Sequence, residues 1–277
     1  MIFKNKYLKT ENDIMSDARQ QAQVQWNANP CGADNSDENS SKFFEEVETS
    51  RYDQQYWQKA FFDYSFSGGR VLEVGIGLGT DLKQFARKGA KCHGVDITDQ
   101  HLFLTKKNFE RERLRVTLHK CDAINLPYPE NYFDCVYSFG VIHHIPDVDR
   151  VLDEIYRVLK PGGVFQVAVY NKFSIHTLTL FIRSIFSGRL AEIGVDGVLA
   201  TIESGADGSQ IKPYVKLYSY LGLKKLLENY NFKTRKIEIH QVNFSKPHPL
   251  SFLRLFERYL GWYICAQCEK PRPVNYK

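Results

Sequence analysis

The chain predicts an α/β fold, a doubly wound and mostly parallel sheet, on three observations. Val71, Leu72 and Val74 make a short apolar run of the kind that fills a buried parallel strand. That run leads directly into glycines at 75, 77 and 79 and then into helical spacing over 81–87. Downstream, apolar strand-like runs alternate with amphipathic helical stretches, the rhythm of a parallel sheet with crossover helices.

The glycine turn places a ligand. Glycine tolerates positive φ and lets a bound group approach the backbone, and the helix that follows turns its free amides toward that group. The spacing selects the ligand. A dinucleotide fingerprint, G-x-G-x-x-G/A, requires its third small residue at position 80, where this chain has Thr80; the third glycine arrives one residue early, at Gly79. Glu73, two residues before the first glycine, would repel a pyrophosphate. It suits a nucleoside carrying an ammonium group and a sulfonium, which describes S-adenosylmethionine.

The remaining elements follow in order. Residues 91–96 read as a second strand ending at Asp96, about 20 residues past the loop, where a carboxylate can accept hydrogen bonds from ribose hydroxyls. Residues 116–121 alternate as a third strand, followed by Asp122-Ala123, and 133–138 form a fourth. Val151, Leu152, Ile155, Val158 and Leu159 give a helix over 150–159 that Pro161-Gly162-Gly163 stops. A fifth strand spans 164–170. The C-terminal third reads as a helix over 218–230, a strand over 233–242, a helix over 251–260 and a last strand over 262–268.

Taken together, Glu73-x-Gly75-x-Gly77-x-Gly79, Asp96, Asp122-Ala123, the 133–144 segment ending Gly-Val-Ile-His-His, and Leu159-Lys-Pro-Gly-Gly163 resemble the class I S-adenosylmethionine-dependent methyltransferases. The nearest branch is the bacterial small-molecule one related to quinone-biosynthesis methyltransferases. The resemblance covers residues 66–172. Trp26 to Gly32, the Arg51-Tyr52 pair and Tyr170-Asn171-Lys172 resemble a narrower subgroup to which no single acceptor belongs. The resemblance implies a Rossmann-like sheet of seven strands whose last strand is antiparallel. It also implies an N-terminal helical cover over residues 1–65, a methyltransferase domain over 66–277, and a helical insertion at 173–215.

For the site, the resemblance implies that Gly75, Gly77, Gly79 and Thr80 border the methionine part of the cofactor, with Glu73 near its ammonium group. Asp96 and Ile97 fall to the ribose, Asp122 and Ala123 to the adenine, and Ser138 and Phe139 to the methionine moiety. Tyr52 falls either to the acceptor or, with Arg51, to the cofactor carboxylate. His143 and Tyr170 are the candidate catalytic residues on the acceptor side, His143 because an imidazole titrates near neutral pH. After the fourth strand the chain reads Ser138-Phe139-Gly140-Val141, not the Asp/Asn-Pro-Pro-Tyr that amide nitrogen acceptors call for. No metal-ligand cluster stands out, and no metal is expected. The expectation is methyl transfer to O or N of a small-molecule acceptor. Carbon methylation of a quinone-like or lipid acceptor, a non-catalytic cofactor-binding module and an NAD-dependent oxidoreductase are the alternatives.

Composition sets the outer bounds. A chain of 277 residues with 43% hydrophobic content can bury one ample core. The net charge of +5 is spread without a dense basic run among aromatics, so no nucleic acid is expected. Residues 1–10 lack the apolar core of a signal peptide and no run of about 18 apolar residues occurs, so a cytoplasmic protein with reduced thiols is expected. Cys265-x-x-Cys268 has no second pair and falls in a strand-like run, which favours packing over metal binding. Around the core, 43–64 carries helical patterning, 33–42 reads as a polar loop and 205–209 as another. The apolar helix expected over 175–185 either packs on the sheet, covers the acceptor or faces lipid, and the oligomeric state is left open.

Overall fold

The computed structural model describes residues 11–28, 42–203, 214–242 and 255–273. Seven strands form one sheet in the order β3-β2-β1-β4-β5-β7-β6. β1 (Arg70–Val74), β2 (Lys91–Asp96), β3 (Val116–Lys120), β4 (Phe133–Phe139) and β5 (Leu159–Tyr170) are parallel. β7 (Tyr263–Glu269) inserts between β5 and β6 (Lys233–His240), antiparallel to both. The chain runs from β1 outward to β2 and β3, then returns to β4 on the other side of β1. The ends of β1 and β4 therefore form the switch point where open α/β sheets bind ligands.

Burial follows position in the sheet. Central β4 and β5 are sealed on both faces, with Cys135, Val136, Tyr137, Phe165, Val167 and Val169 all buried, whereas edge strand β3 is half exposed and alternates. One face packs Leu72, Val136 and Phe165 against α6 (Val148–Val158) and α9 (Tyr220–Asn229). The other packs Val71, Cys135 and Tyr137 against α4 (Thr80–Arg87) and α5 (Asp99–Arg111). Trp57, Phe61, Phe62 and Tyr64, in and beside α3 (Gln58–Phe61), complete that second face.

Cys265 and Cys268 lie three residues apart on one strand, so they point to opposite faces: Cys265 belongs to the α4/α5 core and Cys268 to the α6/α9 core. They cannot meet at one metal.

Two elements depart from the sequence expectation. Pro161-Gly162-Gly163 does not separate a helix from a strand. β5 already begins at Leu159, and the register against β4 slips there, from Phe133↔Leu159 to Cys135↔Val164. Gly162, at φ +83, donates its amide to the Lys270 carbonyl, so the motif is a bulge within the strand. The second is α1 (Glu11–Ala28), which the periodicity did not indicate. α2 (Phe43–Gln54) and α3 fill the helical pattern over 43–64. The insertion after β5 forms α7 (Ile175–Phe186) and α8 (Arg189–Ala200), the latter kinked at Gly194. α10 spans Glu257–Leu260, and the rest of the helix expected over 251–260 falls mainly outside the described residues, as do 33–41 and 205–209.

Candidate cofactor and acceptor site

The three glycines of the loop have three different neighbourhoods. A Cβ on Gly75 (φ +72) would meet Val141 Cγ2 at 2.3 Å, and one on Gly79 (φ +70) would meet Thr105 Cγ2 at 2.7 Å. Those two let the loop pack on its surroundings. Gly77 (φ +55) has nothing within 4 Å in that direction and faces a cavity of about 640 Å³ at the switch point. A side chain there would project into the cradle, which is the requirement for close approach of a ligand.

Acids ring the same cavity. Asp96 ends β2, and its Oδ2 accepts from the Gly77 amide at 3.2 Å and lies 3.1 Å from His101 Nδ1. Its Oδ1 accepts from the amide and hydroxyl of Thr98. Burial would raise this carboxyl, but the contacts to His101 and Thr98 hold it below its usual value. Glu73 is 4% exposed and accepts from the Leu82 amide at 2.9 Å. Burial, then the adjacent charge of Asp81, pushes Glu73 well above the ordinary carboxylate range. A cation placed beside it would offset that cost. Asp122 lines the far end and pairs with Arg19 of α1 at 2.9 Å. Ile97, Ala123, Thr80 and Phe139 also line the cavity.

Asp81, in the first turn of α4, is a junction the sequence did not reveal. It is 2% exposed and forms a close ion pair with Arg51. It also accepts from Tyr52 Oη at 3.0 Å, Gln58 Nε2 at 2.8 Å and Tyr137 Oη at 3.0 Å. Burial opposes the charge on Arg51, yet Asp81 carries its pKa well above the ordinary value. Tyr52 thus sits at Asp81 and outside the cavity lining, while Arg51 lines it. An acid in a first helical turn ordinarily reads as a response to the helix dipole, which is why it drew no notice.

At the other end the wall is made by Trp26, His144, Ile145 and Pro146. Ser138, Gly79, His143 and Tyr170 are not part of the lining. Ser138 is buried and donates to the Val74 carbonyl at 3.2 Å, tying β4 to β1 below the loop. His143 is fully buried with its ring 3.9 Å from that of Tyr170 and 4.1 Å from that of His144, and burial holds it well below its ordinary pKa. The turn Ile142–His144 points the second histidine, not the first, at the cavity. Tyr170 donates from Oη to Glu203 Oε1 at 2.6 Å, and Glu203 Oε1 lies 3.5 Å from His144 Nε2. Glu203 and the lining residues Ala18, Arg19, Ala22, Glu46 and Val47 were not marked in the sequence because they reach the site from distant segments, while Trp26 and Arg51 line it as their motifs suggested.

A glycine loop at the switch point, with one acid below it and others at the ends of β2 and β3, defines a Rossmann-like sheet with a ligand site at its centre. Residues 72–167 match the family model described as Methyltransferase domain, a family that uses S-adenosylmethionine. The chain is 34% identical over 116 residues to phosphoethanolamine N-methyltransferase 2 of Caenorhabditis elegans, covering 41% of this chain and 26% of that protein. It is 33% identical over 139 residues to a ubiquinone biosynthesis O-methyltransferase of Bradyrhizobium sp. (strain ORS 278), half of each. The matched stretches thus span between a quarter and a half of these relatives. The fold is shared with geranyl diphosphate C-methyltransferase of Streptomyces coelicolor A3(2), solved with Mg²⁺, geranyl diphosphate and S-adenosylhomocysteine. There the TM-score is 0.58 at 12% identity, covering 91% of this chain and 98% of that one.

Proposed function

We propose that this chain is an S-adenosylmethionine-dependent methyltransferase that moves the methyl group to an oxygen or nitrogen of a small-molecule acceptor by in-line displacement. The observation that carries the reading is the open face of Gly77 in a cavity bordered by Glu73, Asp96 and Asp122. When bound, the cofactor supplies a methyl group already electrophilic on a sulfonium. Glu73 would hold its ammonium group, with Gly75, Gly77 and Thr80 along the methionine chain. Asp96 and Ile97 would hold the ribose, and Asp122 with Ala123 would face the adenine. The acceptor would enter against Trp26, His144, Ile145 and Pro146.

The protein's own contribution is alignment and exclusion of water, and positioning of this kind is worth roughly 7–11 kcal/mol. Arg51, Tyr52 and Phe139 keep α2 and the end of β4 in register through Asp81 and through the Arg51 guanidinium, 4.5 Å over the Phe139 ring. Gly79 and Ser138 fix the loop from outside the cavity. His143 and Tyr170 back the acceptor wall. Carbon methylation is the second reading, favoured by the apolar Trp26, Ile145 and Pro146 at the acceptor end and by the C-methyltransferase among the structural neighbours. No helix among the described residues is long and apolar enough to cross a membrane, so any contact with lipid would be peripheral.

The test is calorimetric titration with S-adenosylmethionine, S-adenosylhomocysteine and NADH in parallel. Micromolar binding of the adenosyl ligands alone is expected, followed by formation of S-adenosylhomocysteine on an acceptor panel. Binding of NADH alone, or of none of the three, overturns the reading. Adenosyl binding without turnover on any acceptor would reduce it to a binding module. Asp96→Ala should weaken S-adenosylmethionine binding more than His143→Ala does; equal losses would remove the roles given to them.

A further inference from the structure

Behind the acceptor wall, His143, His144 and Glu203 each offer one ligand atom, and these atoms lie within 4.8 Å of one another. The group is assembled from a turn after β4 and from the residues following α8, 59 positions apart, so nothing in the linear sequence marks it.

Two features of the cluster ask for a cation. The first is His144. Its Nδ1 lies 2.9 Å from the carbonyl oxygen of Tyr214, so that nitrogen must carry the proton. In the neutral ring, Nε2 then presents a lone pair, and it faces Glu203 Oε1 at 3.5 Å. That nitrogen and the carboxylate oxygen thus converge on one point, where a cation would be shared by both. The second is His143, which is fully buried and whose two ring nitrogens have no hydrogen-bond partner among the described residues. A buried polar group without a partner costs free energy and calls for an explanation in a native fold, and an ion is one of the standard ones.

We propose that His143, His144 and Glu203 bind a divalent transition-metal cation of the zinc class at the edge of the cavity. Two imidazoles and one carboxylate are donors that such ions take, leaving a fourth position open to water or to an oxygen of the acceptor. The surroundings are those of a prepared site. The Tyr214 carbonyl fixes the tautomer of His144, and the Tyr170 hydroxyl donates to Glu203 Oε1 and orients the carboxylate. Binding requires the donor atoms to close to roughly the 3.3 Å expected between tetrahedral ligands about 2.0–2.1 Å from the metal. His144 Nε2 and Glu203 Oε1 already stand 3.5 Å apart, so the closure falls mainly to the His143 ring. The cation would give the proposed transferase a means of holding an oxygen acceptor, and only this use rests on that reading; binding of the ion does not.

The experiment uses the full chain, stripped with chelator and titrated with Co²⁺ by visible absorption and with Zn²⁺ by calorimetry. His144→Gln and Glu203→Gln are carried alongside, and S-adenosylhomocysteine is titrated into every sample. The expected result is one ion per chain with the visible bands of a nitrogen–oxygen Co²⁺ site. Each substitution should weaken binding by more than the roughly 10–100-fold that loss of a ligand-orienting partner costs. Retained S-adenosylhomocysteine binding would show that the variants are folded. No bound ion, or binding unchanged in both variants, overturns the proposal. Metal binding without S-adenosylhomocysteine binding would uphold the site and remove the transferase reading instead.

Discussion

Helices α6 and α7 have similar lengths and are both rich in branched apolar residues, yet they are oriented oppositely. α6 buries Val151, Leu152, Ile155 and Val158 completely against the sheet and turns Asp149, Asp153 and Arg150 outward. α7 buries Thr177 and Ser184 and exposes Leu178 (59%), Ile182 (42%), Ile185 (59%) and Phe186 (87%). The reason lies in connectivity. α6 is the crossover between β4 and β5, and only its apolar stripe can meet the sheet. α7 leaves the end of β5 beyond the sheet faces that α6 and α9 cover, and it packs mainly on α8. Its anchor is polar: Ser174 caps the helix by accepting from the Thr177 amide, and Thr177 Oγ1 donates to the Asn171 carbonyl at 2.9 Å. Apolar content alone therefore does not locate the core; the element's place in the topology does.

The comparison can be broken most easily at α6. Ile155→Ala should cost about 2–5 kcal/mol in urea denaturation, the usual range for emptying a sealed aliphatic site. A loss below about 1 kcal/mol would mean that α6 does not depend on its stripe. On α7 the sensitive position is a hydroxyl. Thr177→Val should cost about 0.5–1.5 kcal/mol, the net value of one buried hydrogen bond, and no loss would undo the polar anchor. Phe186→Ser should change stability by less than about 0.5 kcal/mol while reducing retention on a hydrophobic column.

Acid should separate the two helices as well. Arg157, donating to Glu154 of α6, holds that carboxyl below its ordinary 4.5 against the opposing effect of burial, helped by the Leu126 amide. A depressed pKa adds stability that is present above the unfolded value and is lost as pH falls through the folded one. Glu154→Gln should accordingly flatten the acid-unfolding curve below about pH 4.5, the ordinary value of the group. α7 carries no carboxylate, so Thr177→Val should lower stability evenly across that pH range and not flatten the curve.

Sequence reasoning was most successful where burial is two-sided. The central strands read as apolar runs because both faces are covered, and the glycine loop read as a ligand turn because its spacing admits few alternatives. It expected a helical cover over residues 1–65 but did not single out α1, whose sparse apolar pattern buries Gln25 beside Ala18 and whose Arg19 matters for the pairing it makes with Asp122. It could not tell His143 from His144, since identical neighbours are separated only by the geometry of one turn. Tyr52 and Ser138 are close to the cavity in sequence terms, but one is directed to Asp81 and the other to the Val74 carbonyl. Glu203 reaches the histidines through tertiary contact alone.

The two cysteines of β7 have a practical consequence. Burial pushes the Cys268 thiol up to about 12 and that of Cys265 well above its ordinary value, so neither forms the thiolate that alkylating reagents attack. Each is sealed in a different layer, on opposite sides of the same strand. The pair is thus a built-in reporter of how the fold comes apart. Iodoacetamide labelling at one rate for both would show the layers opening as a single cooperative unit. A faster Cys265 or Cys268 would name the layer that detaches first.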